Sequence, residues 1–324
     1  MTLRIGVLGA ARIAELAIVG PARELGHRLV AVAARDPRRA EAFAEKYGVE
    51  RVLDNYQAVI ADPEVDVVYN PLANALHAPL NLAAIAAGKP TLTEKPYARN
   101  QVEAQQVAVA AEAAGVPVVE AFHYRYHPVT LRLLELIRGG EIGELRHVEV
   151  TMAMPAPADD DPRWSLELAG GALMDLGCYG LHFLRTVADL LGTAPRITSA
   201  KATERAAGVD ATCEVDLRIG EVSARSVNSM VAAEYNFRIA LHGSRGEVLA
   251  HNFIKPHEDD RITVRTDSGE RVERLGRRSS YSYQLEAFAE ALAGTRTLPV
   301  DGADAVANMA LVDAAYRSAG LPPR

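Results

Sequence analysis

Short apolar runs alternate with longer amphipathic stretches over residues 1–120. The runs, rich in Val, Ile and Leu, fall at 3–8, 29–34, 65–69, 90–93 and 116–120. Helix-like segments at 13–25, 37–47, 77–87 and 100–114 separate them, the last alanine-rich and ending at Gly115, a natural helix stop. Strands apolar on both faces need cover on both faces, so this half reads as doubly wound α/β around a parallel sheet.

After Phe122 the period changes. A helix at 128–138 and a strand at 145–154 precede a loop rich in proline and aspartate, 155–162, and a further helix runs from near Gly171 to Leu191. Seven alternating segments follow, at 196–203, 211–218, 222–230, 237–241, 248–251, 262–265 and 271–275, joined by turn residues. Period two with short turns predicts an antiparallel sheet with one face on helices and the other open. The expected division is residues 1–122 and residues 123–324, the second an α+β domain with a large, mostly antiparallel, open-faced sheet. Val227, Met230 and Phe237 are expected on the open face, which predicts a homodimer or a dimer of dimers through that sheet.

Composition narrows the function. At 324 residues and 49% hydrophobic, the chain can fill two cores. A net charge of -7 carries no footprint for nucleic acid or an anionic membrane, and the basic clusters at 35–39 and 271–278 read mostly as solvated surface. Cys178 and Cys213 lie far apart and in no metal-ligand spacing, so neither a metal centre nor a disulfide framework is expected. Met1-Thr2-Leu3-Arg4-Ile5 runs straight into the first strand without a secretory leader, and no apolar stretch reaches membrane-spanning length. Cytoplasmic localisation is expected.

Gly9-Ala10-Ala11-Arg12-Ile13-Ala14 follows the first strand and opens the first helix, in the layout G-x-G-x-x-G/A with alanine at the second glycine position. Small residues there let the backbone approach a pyrophosphate, whose charge meets free amides at the helix start. Packing alone also selects small residues at such turns, but the position within a β-α-β unit makes the first half a Rossmann dinucleotide-binding domain. The second strand ends in Ala34-Arg35-Asp36. NAD-binding forms place an acid where Ala34 stands, whereas an arginine there accommodates the extra phosphate of NADP. Arg35 therefore favours NADP over NAD, its alternative role being an ordinary exposed side chain. Asp36 reads as the cap of the helix that starts at Pro37.

Two further groups carry chemistry. Lys95, in Glu94-Lys95-Pro96, emerges just past the carboxyl end of a buried strand, where ligands of open α/β sheets bind; otherwise it is a solvated loop lysine. In Gly170-Gly171-Ala172-Leu173-Met174-Asp175-Leu176-Gly177-Cys178-Tyr179-Gly180-Leu181-His182, the residues Asp175, Tyr179 and His182 fall on one helix face at α-helical spacing. The alternative for that stripe is a solvent-facing surface.

With these residues in view, the chain resembles the Gfo/Idh/MocA family, the glucose–fructose oxidoreductase and inositol dehydrogenase group, over essentially its whole length. Asn70-Pro71-Leu72-Ala73-Asn74-Ala75-Leu76-His77 is similar to the family's PNxxH segment with Ala73 inserted. Glu94-Lys95-Pro96, Glu120-Ala121-Phe122-His123-Tyr124-Arg125, the helix of Asp175 and Tyr179, and the stretches at 283–288 and 301–305 follow in the family's order. The resemblance implies cofactor contacts from Gly9, Ala10, Ala11, Arg12, Ile13, Arg35, Pro71, Asn74, His77, Glu94 and Lys95. It implies substrate contacts from Lys95, Tyr124, Arg163, Trp164, Asp175, Tyr179 and His182. Tyrosine at 179 resembles the glucose–fructose oxidoreductase, xylose dehydrogenase, dihydrodiol dehydrogenase and sugar ketoreductase branches rather than the histidine branch.

The implied activity is NADP-dependent transfer of a hydride to or from a carbinol carbon of a sugar, polyol or diol, with Lys95, Tyr179 and Asp175 catalytic. Free tyrosine has a pKa of about 10, too high for an efficient base at neutral pH. An ammonium nearby lowers it, which assigns that task to Lys95, proton transfer to Tyr179 and substrate orientation to Asp175; the roles of Lys95 and Tyr179 can be exchanged. The competing readings are a trans-dihydrodiol dehydrogenase of the same family and a non-catalytic nucleotide-binding sensor.

Overall fold

The structure, a computed structural model, describes residues 2–324. Contacts divide it into two units: residues 1–123 with Tyr281–Met309, and Tyr124–Ser280 with Ala310–Arg324. The first unit is built on five parallel strands, β1 (Arg4–Leu8), β2 (Arg28–Ala33), β3 (Val67–Asn70), β4 (Thr91–Thr93) and β5 (Val118–Glu120), in the order β2-β1-β3-β4-β5. All but the ends of β1 and β2 are buried, as strands covered on both faces must be.

Helices α1 (Gly20–Leu25), α2 (Pro37–Tyr47), α3 (Tyr56–Ala61), α4 (His77–Ala86) and α5 (Gln101–Ala114) supply the cover. The expected caps are present: Asp36 accepts from Arg38 N with Pro37 in the first turn of α2, and Gly115 ends α5 in the left-handed conformation. The helix expected over 13–25 instead begins with a π-helical turn, Glu15–Val19, before α1. Helix α3 escaped the sequence reading because a single turn shows too little periodicity.

A carboxyl-terminal stretch, Tyr281–Met309, belongs by its contacts to the first unit. Helix α8 (Ser280–Leu292) lies almost wholly in the first unit, and α9 (Gly302–Ser318) gives it the residues up to Met309. Tyr281, Leu285 and Phe288 share a core with Leu3, Ile5, Val7, Leu29 and Tyr69. A helix's apolar stripe announces that it must be buried, not which sheet will bury it.

The second unit holds an eight-stranded sheet, ordered β13-β12-β11-β10-β6-β9-β8-β7. Its strands are β6 (Leu145–Ala153), β7 (Pro195–Ala206), β8 (Val209–Ile219), β9 (Val222–Ser229), β10 (Asn236–Gly243), β11 (Gly246–Ala250), β12 (Arg261–Thr266) and β13 (Gly269–Arg274). Every pairing is antiparallel except β6 with β9. Helices α6 (Pro128–Arg138) and α7 (Cys178–Leu190) pack on this sheet, α7 against β6 to β9 and α6 against β11.

Alternate positions such as Val148, Val150, Ile239, Leu241, Val215 and Leu217 are buried. The intervening positions carry ion pairs, Arg225 with Glu214 and Asp216 and Arg265 with Glu247 and Glu270. The expectation of an apolar open face is corrected here: Met230 and Phe237 are already buried within the chain, and only Val227 of the three is half-buried. Alternation was read correctly, but its phase at the strand ends was not, and in a strand one residue of phase moves a side chain to the other face.

Candidate active site

In the first unit the chain turns at the end of β1 on Gly9, which has φ +92° and donates its amide to Ala33 O at 2.7 Å. A Cβ on Gly9 would stand 2.6 Å from Leu72 Cδ2, so both backbone and space demand glycine. The sheet order reverses at this point, with β2 on one side of β1 and β3 on the other. The crevice beyond the carboxyl ends of strands at such a reversal is where these sheets bind ligands. Ala10, Ala11 and Ile13 are half-buried and Arg12 is exposed; Ala10 and Ile13 pack on the core of this unit.

The ending of β2 bears on the cofactor. Arg35 is exposed. Asp36 is taken up by Arg38, accepting from its backbone N at 3.1 Å and from Nη2 at 3.0 Å, so the nearest acid serves the cap of α2. Arg39, expected among the solvated basic residues, turns back and donates from Nη2 to Ala10 O at 2.9 Å. The Arg39 guanidinium thus lies against the glycine turn, Arg35 stands exposed just past the end of β2, and the pair of cations fits an anionic dinucleotide. The only signal in the sequence was the i, i+4 spacing of Arg35 and Arg39 across the start of α2.

The loops after β3 and β4 are joined. His77 is buried, with Nε2 2.9 Å from Leu72 O and Nδ1 2.7 Å from Pro96 O. Burial pulls its pKa down to about 4 against the opposing pull of those carbonyls, so the ring is neutral near pH 7 and donates to one carbonyl. Glu94 N donates to Asn70 O at 2.9 Å. The Glu94 carboxylate accepts from Tyr69 OH at 2.9 Å, and burial, with Glu94 beside it, raises the Tyr69 pKa well above the usual value. Lys95 follows, half-buried, and its peptide bond to Pro96 is cis. Pro71 is buried and Asn74 half-buried, at the start of a 3₁₀ turn, Asn74–Leu76. Gly9, Pro71, Asn74, His77, Glu94 and Lys95 therefore gather at the carboxyl ends of β1, β3 and β4. Within that group His77 and Glu94 bond to the protein's own framework.

In the second unit the motif segment is not one regular helix. A π-helical turn, Leu173–Gly177, precedes α7, so Asp175 and Tyr179 do not share a face at α-helical phase. The segment lies so close to β9 that a Cβ on Gly180 would be 2.3 Å from Ser226 Oγ, and one on Gly177 3.2 Å from Asn228 Nδ2. Asp175 is gripped by Arg163, Nε to Oδ2 at 2.7 Å, and Arg163 also reaches Asp161 Oδ1 at 3.3 Å. Asp161 was not foreseen. Asp175, the first cause, holds the Arg163 pKa above its usual value.

Tyr179 is nearly buried, 5.9 Å from Tyr124 between ring centres. Tyr124 OH and His182 Nδ1 share a hydrogen bond of 2.5 Å, and both residues are buried. Tyr124 and His182 are thus buried and bonded to each other, with Tyr124 packed against Tyr179. Trp164 is half-buried beneath the Arg205 guanidinium, 4.3 Å from its ring centre, and donates from Nε1 to Pro157 O at 3.3 Å. Among the described residues no group of three or more His, Cys, Asp or Glu could hold a metal ion, and no helix is long and apolar enough to cross a membrane.

Comparison with known proteins bears on the family and the fold. Residues 3–122 match an oxidoreductase family described as having an NAD-binding Rossmann fold. Residues 130–249 match the GFO/IDH/MocA C-terminal domain. The chain is 33% identical to an NADP-dependent D-xylose 1-dehydrogenase of Haloferax volcanii over 98% of this chain and 97% of that one. It is 29% identical to a trans-1,2-dihydrobenzene-1,2-diol dehydrogenase of Xenopus laevis over 78% of this chain and 77% of that one. A 3-ketoreductase from Actinomadura kijaniata, solved in complex with NADP and TDP-benzene, superposes with a TM-score of 0.89 at 26% identity, covering 98% of both chains.

Proposed function

Because the chain belongs to the Gfo/Idh/MocA oxidoreductase family, we propose that it oxidises or reduces a sugar or sugar-like polyol with NADP. It is an NAD(P)-dependent oxidoreductase acting on carbinol or carbonyl carbons. The observation that carries the reading is Asp175, buried yet paired with Arg163 and followed by Tyr179. Fixed carboxylate and phenol groups suit a substrate presenting several hydroxyls.

When bound, the nicotinamide accepts or supplies the hydride. Tyr179 moves the hydroxyl proton, and Lys95 takes the role of the ammonium that favours a phenolate. Asp175 accepts a hydrogen bond from a second substrate hydroxyl, with Arg163 fixing its orientation. Arg35 and Arg39 supply the charge for the 2′-phosphate. Gly9, Ala10 and Ala11 leave room for the diphosphate.

The dihydrodiol dehydrogenase relative supports a second reading, in which an aromatic dihydrodiol replaces the sugar. A homodimer or dimer of dimers formed through the eight-stranded sheet, in the cytoplasm, completes the proposal; sedimentation of a monomer at micromolar concentration would remove the dimer. The activity is tested by screening NADPH and NADP, then NADH and NAD, against aldoses, ketoses, inositols and diols. Nicotinamide binding without turnover on the whole panel would leave a sensor in place of an enzyme.

A further inference from the structure

The second unit contains a charged cluster that the proposed chemistry does not use. Asp210 on β8 and Arg324 both have side chains wholly withdrawn from solvent and meet at 2.8 Å, Nη2 to Oδ1. Tyr316 OH donates to the same oxygen at 2.9 Å, and the Arg324 guanidinium carbon lies 3.9 Å from the Tyr316 ring centre.

Each of the two charged residues also reaches the motif segment. Asp210 Oδ2 accepts from Leu173 N at 2.7 Å, and Arg324 Nε donates to Gly170 O at 3.1 Å. The turn Gly170–Leu173 is therefore held at both ends. Gly171, with φ +125°, sits against the cluster so closely that a Cβ would fall 2.1 Å from Asp210 Oδ1.

We propose that the Asp210–Arg324 pair is a positioning device for the reaction, fixing the Gly170–Leu173 turn and through it Asp175 and Tyr179. The path is short. Gly171 N donates to Arg163 O at 3.0 Å, and Asp175 N donates to Gly171 O at 3.0 Å. The backbone on both sides of the Arg163–Asp175 ion pair is thereby referred to one buried pair. A carboxylate on the first free amide of a helical segment suits its positive end. Burial raises the Asp210 pKa, opposed by Leu173 N and Arg324; the cluster therefore depends on all its partners.

The inference rests on the proposed oxidoreductase reading, and the test separates the two. Asp210→Asn, Arg324→Lys and the double variant Asp210→Asn/Arg324→Met, which strands no buried charge, are assayed on the best substrate from the screen. Expected is a loss of kcat/KM for that substrate on the order of 10- to 100-fold, the scale of a small misplacement of reacting groups. The KM for NADPH should stay within about twofold, since the nucleotide contacts lie in the first unit. Amide exchange at Leu173 should accelerate in the same variants, and Arg324→Ala should regain activity with added guanidinium ion. Folded variants with wild-type kcat/KM, or variants whose KM for NADPH rises in step with the loss, would overturn the positioning role. An inactive wild type defeats the functional reading, whereas an active wild type with fully active variants defeats only this one.

Discussion

Arg163 Nε sits 2.7 Å from Asp175 Oδ2, and the same guanidinium reaches Asp161. One cation thus serves two carboxylates whose side chains are 10% and 6% exposed, while Arg163 itself remains 37% exposed. The cation's partial exposure places the worth of the Asp175 pair at about 1–2 kcal/mol, below that of a fully buried ion pair. Arg163→Gln should lower kcat/KM for the polyol by roughly 5- to 30-fold, the equivalent of that energy. Steady-state kinetics with NADPH saturating would show it, and unchanged kcat/KM would mean that Asp175 needs no such support.

Tyr179→Phe removes the proposed proton carrier and leaves the packing against Tyr124. A fall in kcat of about two to four orders of magnitude is expected for a general acid/base. If Lys95 acts through the phenol, Lys95→Met on that background should cost little more. Full additivity in the double variant would assign the two residues separate tasks.

Arg35→Ala and Arg39→Ala should each raise KM for NADPH about 10- to 150-fold, the range of a lost charge-assisted hydrogen bond, with KM for NADH nearly unchanged in Arg35→Ala. A parallel rise with both cofactors would instead place these arginines on the diphosphate. Arg35 is the cleaner variant, because Arg39 also donates to Ala10 O in the glycine turn, and its loss can disturb the site for either cofactor.

Stability should fall as the solution is acidified from pH 6.5 towards pH 4. His77 and His127, one in each unit, are buried and held neutral, their pKa values pulled down to about 4 chiefly by burial. Between that value and the ordinary histidine value of about 6.5 the unfolded chain binds protons that the folded chain refuses, so stability is complete above the window and lost on descending through it. For His77 alone the effect is about 3 kcal/mol. Thermal melting at pH 7.5, 6 and 5 measures it, and His77→Asn should show a shallower decline. A flat profile in the wild type would contradict the buried neutral ring.

Most of the first unit was legible from hydrophobic period alone, because a parallel sheet buries both strand faces and helices α2, α4 and α5 run for ten residues or more. Helices α2 and α6 matched their predicted bounds, since Pro37 and Pro128 mark their starts and a glycine follows each end. The glycine turn, Lys95 and the segment of Asp175 and Tyr179 were likewise visible as local strings. Phase was harder to read: neither the π-helical turn under Asp175 nor the inward positions of Met230 and Phe237 followed from spacing, because one residue of slip costs nothing in the pattern and reverses a face.

The sequence by itself determined that there would be a parallel sheet with a dinucleotide turn, a mostly antiparallel sheet, and a lysine, a phenol and a carboxylate in motifs of one family. Tertiary structure alone decided that Arg39 folds onto Ala10, that His77 ties two loops together, that Asp161 joins Asp175 on Arg163, and that Arg324 meets Asp210 across 114 residues. Local backbone preference and hydrophobic period act over a few residues and leave their mark in the string. Ion pairs and hydrogen bonds between distant segments depend on where the folded core brings their backbones together, and no short-range pattern encodes that.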